Sequence, residues 1–233
     1  MNLFYSNTID GDFITLVGDE AKHCTKVLRK TIGDEIHIID GQGTLFLTRI
    51  DSIGKNDCVC SVLNKTEQFG THPYYVRMCV APTKNIDRFE FFVEKAVEIG
   101  VDEIVPVCSD NSERKVLKLD RIERIVLSAM KQSYKATMPK LHELTDIQTI
   151  LQTNYAGEKC IAHCEQQEKS LLRDVVKKGG EITILIGPEG DFSLSEIELA
   201  KQQGWIPVSL GESRLRTETA AIAAVHTVEV MNQ

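Results

Sequence analysis

Apolar residues change their rhythm along this chain at about residue 70. Before that point they fall in short runs: Phe13-Ile14-Thr15-Leu16, Glu35 to Asp40, Leu45 to Ile50 and Cys58 to Asn64. Gly41-Gln42-Gly43 and Gly54-Lys55-Asn56-Asp57 separate the last three as turns. A short helix, Glu20 to Val27, is expected between the first two, with Asp19 as its cap. Short strands punctuated by Gly, Asn and Asp predict a small β-barrel over residues 1–70. Gln68-Phe69-Gly70-Thr71-His72-Pro73 reads as the linker.

From residue 74 to residue 233 strand-like runs alternate with helical ones. Tyr75 to Ala81 is an apolar strand. A helix over Arg88 to Ile99 follows, with Phe89, Phe92, Val93, Ala96 and Val97 on one face and Gly100 at its end. Glu103 to Cys108 is the next strand. A helix over Leu119 to Tyr134 is predicted to open on a capping box, Asp120 with Glu123. A shorter helix is expected over Asp146 to Gln152, a strand over Lys159 to Ala162 and a helix over Lys169 to Lys178. Such alternation predicts an α/β domain with a parallel sheet and helices on both faces.

Two stretches near the C-terminus share one grammar of strand, glycine turn and helix. The first runs through Ile184-Leu185-Ile186-Gly187-Pro188-Glu189-Gly190-Asp191-Phe192-Ser193. Ser193 and Glu196 form a capping box there, Phe192 can staple onto Ile197, and Gly204 closes the helix. The second is Leu210-Gly211-Glu212-Ser213-Arg214-Leu215-Arg216-Thr217-Glu218-Thr219-Ala220, opening an alanine-rich helix. Parallel sheets bind ligands at the carboxyl ends of their strands, where backbone amides are free. Two such turns from successive strands can wall one pocket; each alone is equally an ordinary connection.

Composition narrows the field without choosing a function. Of 233 residues, 42% are hydrophobic and 26% charged, as in ordinary globular proteins. No apolar run approaches the ~18 residues of a membrane span. The N-terminal residues lack a signal-peptide pattern, so a cytoplasmic protein is expected. The seven cysteines are scattered, and neither Cys58-x-Cys60 nor Cys160-x3-Cys164 makes a paired zinc knuckle. Reduced thiols and no metal are expected. There is no phosphate loop of the G-x-x-x-x-G-K-[ST] type, which disfavours a nucleotide hydrolase. Net charge is −7, so nucleic-acid binding would rest on local basic clusters. The densest is residues 114–135, with Arg114, Lys115, Lys118, Arg121, Arg124, Lys131 and Lys135 against Asp120 and Glu123. A solvated helix face explains such a run equally well.

Together, Ile-Gly-Pro-Glu-Gly and Leu-Gly-x-x-x-Leu-Arg-Thr-Glu-Thr-Ala resemble the SPOUT-class RNA methyltransferases, and more closely their RsmE branch. That branch methylates N3 of a uridine in 16S rRNA. The resemblance implies S-adenosylmethionine (SAM) as cofactor, a homodimer and a C-terminal SPOUT domain with a deep trefoil knot. It also implies a preceding PUA-like RNA-binding barrel, which His23-x3-Val27-Leu28-Arg29-Lys30 and Gly33-Asp34 resemble. Periodicity alone gives an unknotted doubly wound sheet.

The same resemblance implies site residues. Cofactor contacts fall on Leu185, Ile186, Gly187, Pro188, Glu189, Gly190, Leu210, Gly211, Leu215, Arg216 and Thr217, with a third wall after Ala162-His163. Methylation at N3 requires loss of a proton, by a general base or by cations that stabilise the uridinate. Arg216 and Glu218 are the catalytic candidates; a structural pair between them is the alternative. RNA contacts fall on Arg29, Lys30, Lys84, Arg88, Arg114, Lys131 and Lys135, and Arg88 or Tyr134 could stack a flipped base. The chain departs from the family at Asp191, where a second glycine is usual, and at Ser213-Arg214, where Arg-Ile is usual. The partner implied is the small ribosomal subunit. Another RNA target, or a nonenzymatic ribosome-assembly factor of the same fold, are the alternatives.

Overall fold

The computed structural model describes residues 2–233. The chain divides into two units. One takes the chain up to Thr71 together with Leu127–Met138; the other takes His72–Val126 and Pro139–Gln233.

In the first unit a six-stranded sheet is built from β1 (Leu3–Tyr5), β2 (Ile9–Asp10), β3 (Phe13–Val17), β4 (Glu35–Ile39), β5 (Leu45–Ile53) and β6 (Asp57–Thr66). Their order is β1-β4-β5-β6-β3-β2. Alternation puts Ile14 and Leu16, Ile36 and Ile38, and Cys58 and Cys60 on the inner face around Phe4, Phe46 and Ile50. The β5–β6 register shifts at Leu47/Thr48 and Ile50/Ser52, and such bulges bend a sheet. After β3 comes α1 (Gly18–Lys22), continued by a π-helical turn over His23–Val27. Its N-cap is Val17, not Asp19. Gly18 has φ 59°, so the chain turns into the helix two residues early and Asp19 pairs with Lys22 at 3.1 Å instead.

The second unit carries β7 (Tyr75–Val80), α2 (Ile86–Ile99), β8 (Glu103–Cys108) and the start of α3 (Leu119–Gln132). After α3 come β9 (Lys140–Leu141), β10 (Thr145–Asp146), α4 (Ile147–Gln152), β11 (Glu158–Ala162), β12 (Ser170–Leu171) and α5 (Leu172–Val175). Last are β13 (Glu181–Ile186), α6 (Leu194–Gln202), β14 (Ile206–Ser209) and α7 (Thr217–Asn232). The sheet runs β10-β8-β7-β13-β11-β14-β12, with β9 beside β8, and its pairings are parallel. Near-continuous burial along β13, from Ile182 to Ile186, is what a strand covered on both faces requires. On one face Cys79, Val105, Ile161 and Leu185 pack against α4, α6 and Trp205. α7 packs on β7, β13 and α2.

Three helical expectations need correction. α2 starts two residues before Arg88, because Asn85 caps it by accepting from the Asp87 N–H at 3.2 Å. Asp120 lies inside the first turn of α3, where the Lys118 carbonyl already accepts from Arg121 and Ile122, so it does not act as N-cap. The helix expected over Lys169 to Lys178 shrinks to α5, since Ser170 and Leu171 pair with Val208 and Ser209 of β14. Tertiary pairing outweighs helix propensity there.

Candidate active site

The carboxyl ends of β11, β13 and β14 open into one cavity of about 550 Å³. Its walls are Ala162 to Cys164 after β11, Ile186 to Glu189 and Asp191 after β13, and Val208 to Thr217 after β14, with Lys169 and Ala220. Parallel strands point their carboxyl ends the same way, so the two glycine turns meet as the sequence implies.

Each turn has a local cause. At Gly187 a Cβ would lie 3.1 Å from the Phe192 ring, tighter than an ordinary contact, so any larger residue would make the ring of the helix staple give way. At Gly211 φ is 136°, a region that favours glycine. The predicted capping box at Ser193 is present: its N–H donates to Glu196 Oε2 at 2.7 Å, and Glu196 N–H donates back at 3.3 Å. Buried Glu196 also accepts from the Asp110 N–H at 2.8 Å. Asn111 Nδ2 donates to the Gly190 and Asp191 carbonyls at 3.1 Å each, which backs the first turn from the β8 side.

Side chains join the loops. Thr217 Oγ1 donates to the Gly187 carbonyl at 3.0 Å, linking the two turns. Glu189 Oε1 accepts from the Lys84 N–H at 3.0 Å, tying in the loop after β7. Asp191 has φ 61°, a left-handed conformation that Asp adopts more readily than most residues. Its Oδ2 accepts from the Cys164 N–H at 2.7 Å and its Oδ1 from the Phe192 N–H at 2.8 Å. The carboxylate at the departure from glycine is therefore engaged in binding two loops together.

Arg214 and Arg216 are exposed at the cavity, and among the described residues neither side chain has an ionic or hydrogen-bonded partner. Glu218 is the opposite case. It sits in the first turn of α7, where the helix dipole favours a carboxylate, and its side chain is 11% exposed. Arg88 Nε lies 3.9 Å from its Oε1, while its Oε2 is buried without a partner. Glu218 thus pairs with Arg88, and the pair with Arg216 does not form. His163 is 7% exposed and neither ring nitrogen has a partner. Burial first, then the Lys169 ammonium, hold its pKa below the ordinary imidazole value.

Residues 71–229 match the RNA methyltransferase domain family, and residues 16–63 match the RNA methyltransferase PUA domain family. Ribosomal RNA small subunit methyltransferase E of Rickettsia conorii is 30% identical, across 99% of this chain and 96% of that protein. The chain belongs to the ribosomal RNA small subunit methyltransferase E family. Two crystal structures share the fold. That of a probable rRNA-methyltransferase from Porphyromonas gingivalis has a TM-score of 0.93 and 40% identity, over 100% of both chains. That of ribosomal RNA small subunit methyltransferase E from Neisseria gonorrhoeae, bound to S-adenosyl methionine, has a TM-score of 0.87 and 27% identity, over 99% of this chain and 97% of that one.

Set against the cofactor contacts that family resemblance implies, Ile186, Gly187, Pro188, Glu189, Leu210, Gly211, Leu215, Arg216 and Thr217 line the cavity. Leu185 lies beneath it in the core and Gly190 faces Asn111. Cys164, Lys169, Ser209 and Glu212 also line it and carried no signal of their own. The basic candidates are divided between the two units. Arg29 is exposed at φ 54°, and Lys30 is partly exposed beside it. Lys84 pairs with Glu113 at 2.8 Å, and Lys131 pairs with Glu20. Arg114 donates to the Thr83 and Lys84 carbonyls at 3.0 and 2.7 Å, so it braces the Lys84 loop. Lys135 lies in the turn after α3. Among the described residues no cluster of His, Cys, Asp and Glu is placed to hold a metal, and no helix is long and apolar enough to cross a membrane.

Proposed function

We propose that this protein transfers a methyl group from SAM to N3 of a uridine in the 16S rRNA of the small ribosomal subunit. The observation that carries the reading is the cavity: two glycine turns of the family's composition, pinned together by Thr217, at the carboxyl ends of three parallel strands. Its volume of about 550 Å³ suits a nucleoside-sized ligand. The apolar floor of Ala162, Ile186 and Val208 suits an adenine ring, and the unpartnered His163 leaves polar capacity to satisfy. The lining residues of the two turns, from Ile186 to Glu189 and from Leu210 to Thr217, would hold it, with Leu185 and Gly190 shaping those turns from behind.

When bound, SAM supplies a methyl group on a positively charged sulfur. The chain's own residues do the rest. Uridine N3 keeps its proton at neutral pH, so the nitrogen must gain uridinate character as it attacks. Arg216 is the catalytic residue: its guanidinium, free at the cavity, stabilises that negative charge. Glu218 positions Arg88, holding its guanidinium beside the start of α7. The walls orient the reacting atoms, which alone accounts for much of the rate in such reactions.

RNA is held by basic side chains of both units. Arg29, Lys30, Lys131 and Lys135 serve in the PUA-like barrel unit, and Lys84 and Arg88 near the cavity, with Arg114 bracing Lys84. The enzyme is cytoplasmic and works as a homodimer, for which the exposed apolar side chains Phe91 of α2 and Val230 and Met231 of α7 offer surface. The C-terminal domain carries the family's trefoil knot; the return of α7 from β14 to pack on β7 and β13 supports it. Asp191 does not favour the nonenzymatic alternative, since its carboxylate is engaged with backbone at the cavity wall.

The test is incubation with methyl-labelled SAM and small subunits that lack the modification, alongside calorimetric titration of SAM. Label in 16S rRNA is expected. SAM binding without label in 16S rRNA would point to another RNA, and no SAM binding would end the enzyme reading.

A further inference from the structure

We propose that His163 is a specificity-determining ligand of the cofactor, hydrogen-bonding an uncharged polar group of its nucleoside half. This rests on the reading of the cavity as the SAM site and adds a side chain to it. His163 follows β11, whose end is held between β13 and β14, and it lines the cavity beside Ala162 and Cys164. It is 7% exposed, and no protein group satisfies Nδ1 or Nε2. A buried polar side chain without a partner is uncommon and costly, so it marks a place where a partner arrives.

Three observations choose the nucleoside over the amino-acid end. Burial and Lys169 both disfavour the imidazolium, and Lys201 adds to them against the opposing Asp191 and Glu165. A neutral imidazole offers one donor and one acceptor, which suits a ribose hydroxyl or the adenine edge rather than a carboxylate. The Lys169 ammonium that could meet a carboxylate is engaged by the His163 and Glu165 carbonyls at 2.8 and 2.9 Å. At the exposed rim, Arg214 has no partner among the described residues and can meet charge in water, where charge is least costly.

Calorimetry on the full-length protein with two ligands tests this. SAM carries both halves; 5′-methylthioadenosine carries the nucleoside without the amino acid. Wild type is expected to bind both. His163→Phe, which keeps a planar ring but no hydrogen bond, is expected to lose about tenfold or more in affinity for both. His163→Asn, which keeps a donor and an acceptor, is expected to recover part of that loss, and it carries the test should the Phe variant misfold in a thermal melt. Full affinity for both ligands in a folded His163→Phe protein would overturn the assignment. So would a loss for SAM alone, which would put the contact on the amino-acid half, or a wild type that binds SAM but not 5′-methylthioadenosine. A wild type that binds neither ligand would instead overturn the reading of the cavity, and this assignment with it.

Discussion

The Thr217 hydroxyl donates to the Gly187 carbonyl at 3.0 Å, and the hydroxyl is buried. One bond thereby fixes the first residue of α7 to the turn after β13. Thr217→Val keeps the shape and removes the donor, leaving a buried acceptor unmet at about 1–3 kcal/mol. We expect urea unfolding to register that loss and SAM affinity to fall about tenfold, with Thr217→Ser near wild type in both. Unchanged SAM affinity in Thr217→Val would mean that the two turns hold their spacing without it.

Asp191 makes a second link, to the Cys164 N–H. Asp191→Gly relaxes the left-handed backbone but frees the loop after β11, so SAM affinity should fall several-fold. Asp191→Asn tolerates that backbone and keeps an acceptor, and should retain most of the affinity. Asp191→Ala loses the acceptors and keeps the strain of about 1–2 kcal/mol; it should be the least stable of the three in denaturant. A Gly variant that binds SAM as well as wild type would deny Asp191 a part in shaping the wall.

Both links show where the sequence is readable and where it is not. The turn at Gly187 and the capping box at Ser193 are local, so residue order alone reveals them. The bond from Asp191 to Cys164 spans 27 positions, and no period or motif signals it. His163 was legible only as a neighbour of a strand end. Short pieces fail for the same reason: β1, β2 and β12 exist because a partner strand lies beside them, and the last replaced an expected helix. Longer elements with a full period, such as α2 and β13, were legible to within two or three residues.

Arg216 should separate chemistry from binding. Arg216→Ala is expected to slow single-turnover methyl transfer about 100-fold, the scale of losing one charge-stabilising donor. SAM affinity should change less, and Arg216→Lys should restore part of the rate because a point charge replaces the planar fork. Equal losses in rate and in SAM affinity would make Arg216 a binding residue only.

A polar cluster at the opposite ends of the strands should govern acid stability. Burial alone would raise the pKa of Glu103, but the Tyr75 hydroxyl, the Arg77 guanidinium and His142 outweigh it and hold the carboxyl below its ordinary value. Arg77 Nε lies 2.6 Å and the Tyr75 hydroxyl 2.8 Å from Oε2, with Lys140 at 3.9 Å from Oε1. A carboxylate with a depressed folded pKa contributes stability that is present above its unfolded value and lost as pH falls through the folded one. Urea midpoints of wild type should therefore drop as pH falls below the ordinary 4.5, and Glu103→Gln should flatten that drop while costing about 3 kcal/mol at neutral pH. An unaltered acid limb in Glu103→Gln would remove Glu103 from the account.

The most direct measurement is nucleoside analysis of 16S rRNA after reaction of unmodified small subunits with the protein and methyl-labelled SAM. Label recovered as 3-methyluridine, and appearing about 100-fold more slowly with Arg216→Ala, is the predicted result. Label in any other nucleoside, or no label from a protein that binds SAM, would contradict it.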